Sequence, residues 1–232
     1  MEFLHTALDW ILHLDHHLKY LVEQFGPWTY GILSAVVFSE TGLVVTPFLP
    51  GDSLLFATGA LAATGALNVH LLAVLLFLSA VLGNTVNYWI GRWFGLGISK
   101  SRWVKKEYLD RAHMFYEKHG GKTIVFSRFL PILRTFAPFV AGISKMNQLH
   151  FFFYNMAGAL AWVALFTYGG YFFGNLPFIK KNFTLVILAI IIVSLVPAVV
   201  EAIRMKRSAG AKKKKYTVRL GVRAPGPAGG LL

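Results

Sequence analysis

Three apolar runs limit the folds that this chain can adopt. They cover residues 71–90, 153–173 and 183–203, and each is close to the roughly 20 residues that a helix needs to cross a hydrocarbon core. Hydrophobic residues make up 56% of the 232 residues and charged residues 14%, whereas about a quarter of a soluble domain is charged. The sequence therefore predicts an all-α integral membrane protein.

Basic residues are concentrated beside the apolar runs. The net charge of +13 comes mainly from residues 92–122 and 204–232. By the positive-inside rule both segments should be cytoplasmic, which places the C-terminus in the cytoplasm. Basic segments that flank apolar spans argue against nucleic-acid binding. We expect the end of the chain, residues 208–232, to be a disordered basic tail.

The N-terminal segment, residues 1–24, is predicted to form an amphipathic helix in the membrane interface, with a frayed first span as the alternative. Charged residues such as Asp9, Asp15 and Lys19 interrupt its apolar residues. The rest of the membrane domain should extend over residues 25–207. The chain has no cysteine, which excludes disulfides and thiolate chemistry, and neither a metal site nor a cofactor is expected.

The placement of the basic segments predicts a re-entrant hairpin at residues 123–147. If both basic segments are cytoplasmic, the two spans 153–173 and 183–203 return the chain to its starting side. The intervening segment must then cross an even number of times, and it is too short to cross twice. Pro131 and Pro138 each remove a backbone donor and favour a break in the helix.

The same reasoning predicts a second re-entrant hairpin at residues 28–66, which enters from the opposite face. Pro47, Pro50 and Gly51 supply its turn. Broken helices at membrane depth are tolerated where they are buried in protein or line a wet cavity. Two oppositely oriented hairpins that meet near the midplane are typical of transporters with inverted repeats.

A weak internal repeat supports this arrangement. The first half contains FSE at 38–40, PFLPG at 47–51 and GRWFG at 91–95. The second half contains FSR at 126–128, PFVAG at 138–142 and GYFFG at 170–174. The three elements occur in the same order with different spacings, so they predict an inverted-repeat arrangement without a strict period.

Four charged residues lie in the predicted hairpins: Glu40, Asp52, Arg128 and Arg134. A charge at the centre of a membrane helix costs about 2.5–3.5 kcal/mol on insertion scales. The two acids and two arginines form a neutral set if the hairpin tips meet, so we expect them to share one polar cavity. Two alternatives remain open: Asp52 as a cap for a half-helix at 54–64, and Arg128 as a side chain that extends to the cytoplasmic interface.

Enzymatic activity is not expected. The stretch SRFLPILRTFAP has Arg134 and Pro138 where membrane lipid phosphatases need a nucleophilic histidine and an orienting acid. Without them, phosphoenzyme chemistry has no nucleophile. Tryptophans such as Trp28, Trp93 and Trp162 fit interfacial belts and packing.

Three long motifs resemble the bacterial DedA family: ETGLVVTPFLPGDSLLF, FYEKHGGKTIVFSRFLPILRTFAPFVAG and GYFFG. The resemblance extends over about residues 1–207. It implies a multi-pass protein of the bacterial inner membrane, with two facing re-entrant hairpins and a role in envelope lipid homeostasis. One departure is Asn84 in GNTVNYWIGR, where relatives often carry an acid. If that acid transfers protons in relatives, proton coupling differs here.

The resemblance also implies a function. Family members are associated with translocation of polyprenyl phosphate or phospholipid, in some cases driven by the proton motive force. The family's functional acids match Glu40 and Asp52, which would act in proton coupling and gating. Its arginines match Arg128 and Arg134, whose guanidinium forks suit a lipid phosphate. The implied partners are membrane lipids and protons. A homo-oligomer is left open by the sequence.

Two other functions remain open from the sequence. The same acids would serve a proton-coupled antiporter of small cations or drugs. Alternatively, the charges would only clamp the hairpins of a structural membrane protein together.

Overall fold

The computed structural model describes residues 14–43, 51–98, 120–174, 176–182, 185–190 and 193. Within these ranges every regular element is a helix, and none is a strand. The prediction of an all-α protein is therefore confirmed for the described part of the chain.

Several predicted features lie outside the described residues. They are the first 13 residues of the N-terminal helix, the hairpin turn at 44–50, the basic loop at 99–119, most of the span 183–203 and the tail 208–232.

Of the first three helices, one precedes the first predicted hairpin and two lie within it. Helix α1 is Leu14–Phe25, α2 is Trp28–Gly42 and α3 is Gly51–Ala62. A left-handed Gly26, with φ of 49°, turns the chain between α1 and α2. The inner face of α1 packs on the core through Leu18, so this helix is attached to the domain that follows it.

Helix α4, Val69–Ile98, is the first long helix. It begins after Asn68, whose side-chain oxygen accepts hydrogen bonds from the backbone N–H groups of His70 (3.0 Å) and Leu71 (3.1 Å). Its segment Val69–Phe94 is long and apolar enough to cross a membrane, in agreement with the predicted span at 71–90.

The second predicted hairpin contains two short helices, α5 at Lys122–Ser127 and α6 at Pro131–Ile143. Proline is favourable at the first position of a helix, where its missing N–H is not needed, and this explains where α6 begins. Pro138 lies inside α6 and supplies no N–H to the carbonyl of Arg134. The chain is therefore broken at residues 128–130, beside the two arginines of interest.

The second long helical run is Gln148–Phe173. It consists of α7 (Gln148–Val163), a π-helical turn (Ala164–Tyr168) and α8 (Gly169–Phe173). Asn147 caps its start by accepting from the N–H groups of Leu149 and His150. The run is long and apolar enough to span, as predicted for 153–173. A short helix, α9 at Pro177–Lys181, and helical residues 185–190 follow.

Large apolar side chains remain exposed along the long helices. On α4 they follow one another at helical spacing, at Leu71, Val74, Leu78, Leu82 and Val86. On α7 they include Phe153 and Leu160. An exposed apolar stripe along a helix of spanning length suits contact with lipid tails.

One short helix of each half, α3 in the first and α6 in the second, packs on the long helix of the other half. A Cβ atom on Gly59 of α3 would collide with the carbonyl oxygen of Thr167, and one on Gly170 of α8 would collide with that of Phe56. These two glycines let the backbones of α3 and the second long run approach closely.

The same pair of contacts recurs between α6 and α4. A Cβ atom on Gly142 would collide with the carbonyl oxygen of Tyr88, and one on Gly91 would collide with that of Phe139. Gly91 and Gly170 each lie 23 residues after the asparagine that caps their own long helix. The two halves thus use equivalent residues at two equivalent crossings.

These contacts change one detail of the repeat inferred from the sequence. They pair Phe139–Gly142 with Phe56–Gly59, whereas the motif comparison paired 138–142 with 47–51. The motif comparison is wrong here because it matched the two prolines, which have different positions. Pro47, the proline matched to Pro138, comes before the first residue of α3 in the sequence, whereas Pro138 lies inside α6.

Candidate functional site

The two acids lie at the ends of helices that flank the first break in the chain. Glu40 is in the last turn of α2, and Asp52 is in the first turn of α3. Both side chains are buried, with residue exposures of 3% and 6%. Helix α3 begins at Gly51, three residues earlier than the half-helix predicted at 54–64.

The two arginines flank the second break. Arg128 follows α5 directly, and Arg134 lies in the first turn of α6. They are as buried as the acids, with exposures of 0% and 3%. Complete burial of Arg128 contradicts the alternative in which it extends to the membrane surface. Arg128 lies only six residues after Lys122 in the sequence, but its side chain turns inward to α4 and α7.

Arg134 joins both acids. Its Nη1 donates to Glu40 Oε1 at 2.9 Å, and its Nη2 donates to Asp52 Oδ1. The third nitrogen, Nε, donates to the backbone carbonyl of Arg128 at 3.0 Å. Each nitrogen of the guanidinium is therefore engaged, and the two helix breaks meet at this one side chain.

Trp162 completes the cluster and was not anticipated as a site residue. Its Nε1 donates to Asp52 Oδ1 at 2.8 Å, and the Arg134 Cζ lies 4.7 Å from the centroid of its ring. The sequence predicts an interfacial belt or packing for this tryptophan, and its complete burial excludes the interfacial belt. It holds a carboxylate with its N–H and faces a cation with its ring.

Arg128 has neutral partners only, among the described residues. Its Nη2 donates to Asn155 Oδ1 at 2.5 Å and to the backbone carbonyl of Ala80 at 3.2 Å. No described residue accepts a hydrogen bond from its Nε or Nη1. Arg128 is thus a fully buried cation that forms no ion pair with the described carboxylates.

Buried asparagines connect the ion cluster to the long helix α4. Asn87 donates through Nδ2 to the carbonyls of Thr41 (3.2 Å) and Thr135 (2.8 Å), which belong to α2 and α6. Asn84 donates to Asn155 Oδ1 at 3.1 Å. This layer of amides holds the two broken segments against α4 without adding charge.

Two glycines make room for the charged side chains. A Cβ atom on Gly51 would collide with the Glu40 carboxylate. On α7, a Cβ atom on Gly158 would lie 3.1 Å from Arg128 Cδ and 3.3 Å from its Nε. The placement of Glu40 and of Arg128 therefore depends in each case on a neighbouring glycine, which has no Cβ atom.

The four predicted site residues converge as a neutral set, but unequally. Arg134 pairs with both acids, whereas Arg128 pairs with neither. Burying a charge without a partner is costly, so the paired half of the site is well compensated and the Arg128 half is not. The geometry can hold protons on carboxylates and an anion on Arg128.

One family model matches more than half of the chain. The model of the VTT domain matches residues 49–172, which contain α4, all but the last residue of the Gln148–Phe173 run, and three of the four charged residues. A helical membrane protein with two facing helix breaks is the class that the fold and site define. The chain belongs to the DedA family, whose members carry the VTT domain.

Curated relatives cover most of the chain. It is 54% identical over 219 residues to the protein DedA of Escherichia coli K12, which covers 92% of this chain and 100% of that protein. It is 47% identical over 183 residues to an uncharacterized membrane protein of Mycobacterium tuberculosis H37Rv, covering 77% and 80% of the two chains.

The name of a more distant relative states a cellular location for that protein. The chain is 38% identical over 155 residues to the inner membrane protein YqjA of Escherichia coli K12, covering 66% of this chain and 70% of that one. No solved structure matches this chain.

Proposed function

We propose that this protein moves lipids with a phosphate headgroup, such as polyprenyl phosphate or phospholipid, across the bacterial inner membrane. Arg128 receives the phosphate, and Arg134 joins it after release by the acids. Glu40 and Asp52 exchange protons as they bind and release Arg134. The lipid tail stays in the bilayer while the headgroup passes between the two helix breaks.

The observation that carries this proposal is the buried, uncompensated charge of Arg128. Its Nε and Nη1 donors have no acceptor among the described residues, and a guanidinium stays charged in such a site. A phosphate oxygen would satisfy these donors and supply the missing negative charge. A cation would gain nothing there.

Charge balance links phosphate binding to proton binding. The empty cluster of two acids and two arginines is neutral. A phosphate monoester brings a charge of about −1.5 to −2 at neutral pH. Protonation of both Glu40 and Asp52 would bring the cluster back to about neutral and weaken their hold on Arg134. A proton gradient would then drive phosphate binding on one side and release on the other.

The proposed membrane arrangement follows from the sequence and from where the breaks meet. The hairpins at 28–66 and 123–147 enter from opposite faces, and the C-terminal tail is cytoplasmic. The contacts of Arg134 with Glu40 and with the Arg128 carbonyl support the proposal, because both breaks must then reach the same depth. The name of the relative YqjA supports the inner membrane as the location.

The antiporter of cations or drugs is less well supported by these contacts. Both acids already bind Arg134, so a cationic substrate would have to displace a guanidinium that interacts with each of them. It would also approach Arg128, which has the same sign of charge.

The test is transport in proteoliposomes that contain headgroup-labelled polyprenyl phosphate or labelled phospholipid, under a pH gradient of either direction. The informative variant is Arg128→Lys, which keeps the charge but loses the fixed set of donors. A lost hydrogen bond to a charged group is worth about 1.5–3 kcal/mol, so transport should fall roughly 10- to 100-fold.

Arg92→Lys is the matched control, because Arg92 is only partly buried and donates to Tyr88. It should transport normally. Absence of phosphate-lipid movement by the unmodified protein under both gradients, or full activity of Arg128→Lys, would contradict the proposal.

A further inference from the structure

Asn155 is the side chain that directs Arg128, and its amide orientation is fixed by its other bonds. Its Nδ2 donates to the backbone carbonyl of Val81 at 3.0 Å. Its Oδ1 must then face the other way, where it accepts from both Arg128 Nη2 (2.5 Å) and Asn84 Nδ2 (3.1 Å). Because a carbonyl accepts only from a donor, the opposite amide orientation would break all of these bonds.

The chemical character of residue 155 decides the charge state of the site. An aspartate in this position would form a buried ion pair with Arg128 and cancel its charge, as the two acids do for Arg134. An amide has the same shape and accepts the same hydrogen bond, but it contributes only a dipole. It therefore orients the guanidinium without neutralising it.

The residues around Asn155 and Arg128 exclude solvent and leave space for the guanidinium. Asn155, Asn84 and Arg128 are all buried, with exposures of 0%, 1% and 0%. Gly158, one turn further along α7, leaves space for the Arg128 stem. Nε and Nη1 remain without a described acceptor while Nη2 is held in place.

We propose that Asn155, supported by Asn84, is a positioning residue that keeps Arg128 oriented and uncompensated, so that the site selects anionic phosphate headgroups. This inference rests on the proposed function and adds a residue to it. It predicts that the neutral amide, and not merely a well-packed side chain, is required at position 155.

The test measures binding of farnesyl phosphate to the purified full-length protein in detergent, with farnesol as the ligand that lacks phosphate. The thermal unfolding midpoint is measured on the same samples. The unmodified protein should bind farnesyl phosphate much more tightly than farnesol.

The decisive variant is Asn155→Asp. Its new ion pair with Arg128 offsets the lost bond to Val81, so the unfolding midpoint should stay close to that of the unmodified protein. Its affinity for farnesyl phosphate should fall at least about 10-fold, because the anion must now compete with a carboxylate for Arg128. A purely structural role would move affinity and midpoint together.

Asn147→Asp is the matched control. It makes the same change at the exposed start of the same helix, where aspartate caps as well as asparagine, and it should bind normally. Asn155→Leu removes the acceptor without adding charge. It should lower the midpoint and reduce the preference for farnesyl phosphate over farnesol several-fold, whereas a purely structural loss would weaken the binding of both ligands alike. This ratio decides the question if Asn155→Asp does not fold.

The outcomes separate this inference from the proposed function. If the unmodified protein does not prefer farnesyl phosphate to farnesol, both are overturned. If it does, and folded Asn155→Asp or Asn155→Leu binds as tightly as the unmodified protein, the role of Asn155 is overturned while the phosphate site stands.

Discussion

Replacement of Arg134 by methionine should separate the contribution of the ion cluster to stability from its contribution to transport. Arg134 bonds to Glu40, to Asp52 and to the Arg128 carbonyl. Methionine fills a similar volume but leaves two buried carboxylates beside each other without a cation.

The expected loss can be worked out from these contacts. Removal of one partner from a buried ion pair costs about 3–5 kcal/mol, since the other charge remains buried. At about 2–4 °C per kcal/mol for a chain of this size, the unfolding midpoint should fall by about 6–20 °C. The remaining carboxylates can take up protons, so the loss should shrink as the pH is lowered.

Neutralising the acids should restore the fold. The triple variant Glu40→Gln, Asp52→Asn, Arg134→Met has no unpaired charge among these three positions. Replacement of a buried ion pair by neutral residues of similar volume is often neutral or stabilising. We therefore expect the triple variant to unfold near the temperature of the unmodified protein while transporting no lipid.

The assay is thermal unfolding in detergent together with transport in proteoliposomes. Lys19→Met is the control, because its partner Glu23 is exposed and such surface pairs contribute about 0–1 kcal/mol. The reasoning is refuted if the single Arg134→Met variant is as stable as the unmodified protein, or if the triple variant is no more stable than the single one.

Three further predictions concern other parts of the site. Gly51→Ala should displace the Glu40 carboxylate and reduce transport at least about 10-fold. The control Gly31→Ala on α2 has open space around it and should transport normally. Equal transport by both variants would show that Glu40 tolerates displacement. Trp162→Phe keeps a ring over Arg134 but loses the hydrogen bond to Asp52, so it should lower the free energy of unfolding by about 1–3 kcal/mol. The control Trp93→Phe changes an exposed residue and should leave stability unchanged. An unchanged unfolding midpoint of Trp162→Phe would contradict a stabilising bond to Asp52. Single cysteines that replace Asp110 and Lys206 should react with a membrane-impermeant thiol reagent only from the cytoplasm, and one that replaces Ala66 only from the periplasm. Labelling of positions 110 and 206 from opposite sides would overturn the re-entrant second hairpin.

The sequence was sufficient for the class of fold and for the burial of four charged residues in one region of the molecule. Apolar length predicts the long helices, because the hydrocarbon core sets a minimum that α4 and the Gln148–Phe173 run both meet. The insertion cost of Glu40, Asp52, Arg128 and Arg134 predicts that they are buried together, since each needs compensation away from lipid.

The sequence could not predict which arginine pairs with the two acids. Arg134 lies 94 residues from Glu40 and 82 from Asp52, and no local spacing distinguishes it from Arg128 at such separations. Trp162 and Asn155 were missed for a related reason. Each looks like an ordinary residue of an apolar span, and its role depends on which helix packs against it.

The exchanged packing of the short helices has a consequence for assembly. Helix α3 is covered through Gly59 by the second long run, and α6 is covered through Gly142 by α4. A half-length chain would therefore leave a bare glycine surface on its own short helix, with nothing of its own to cover it. Such a chain would need a second half to fold against, and two half-length chains would interlock as the two halves do here. The continuous protein behaves in this respect as a dimer whose two subunits have been joined.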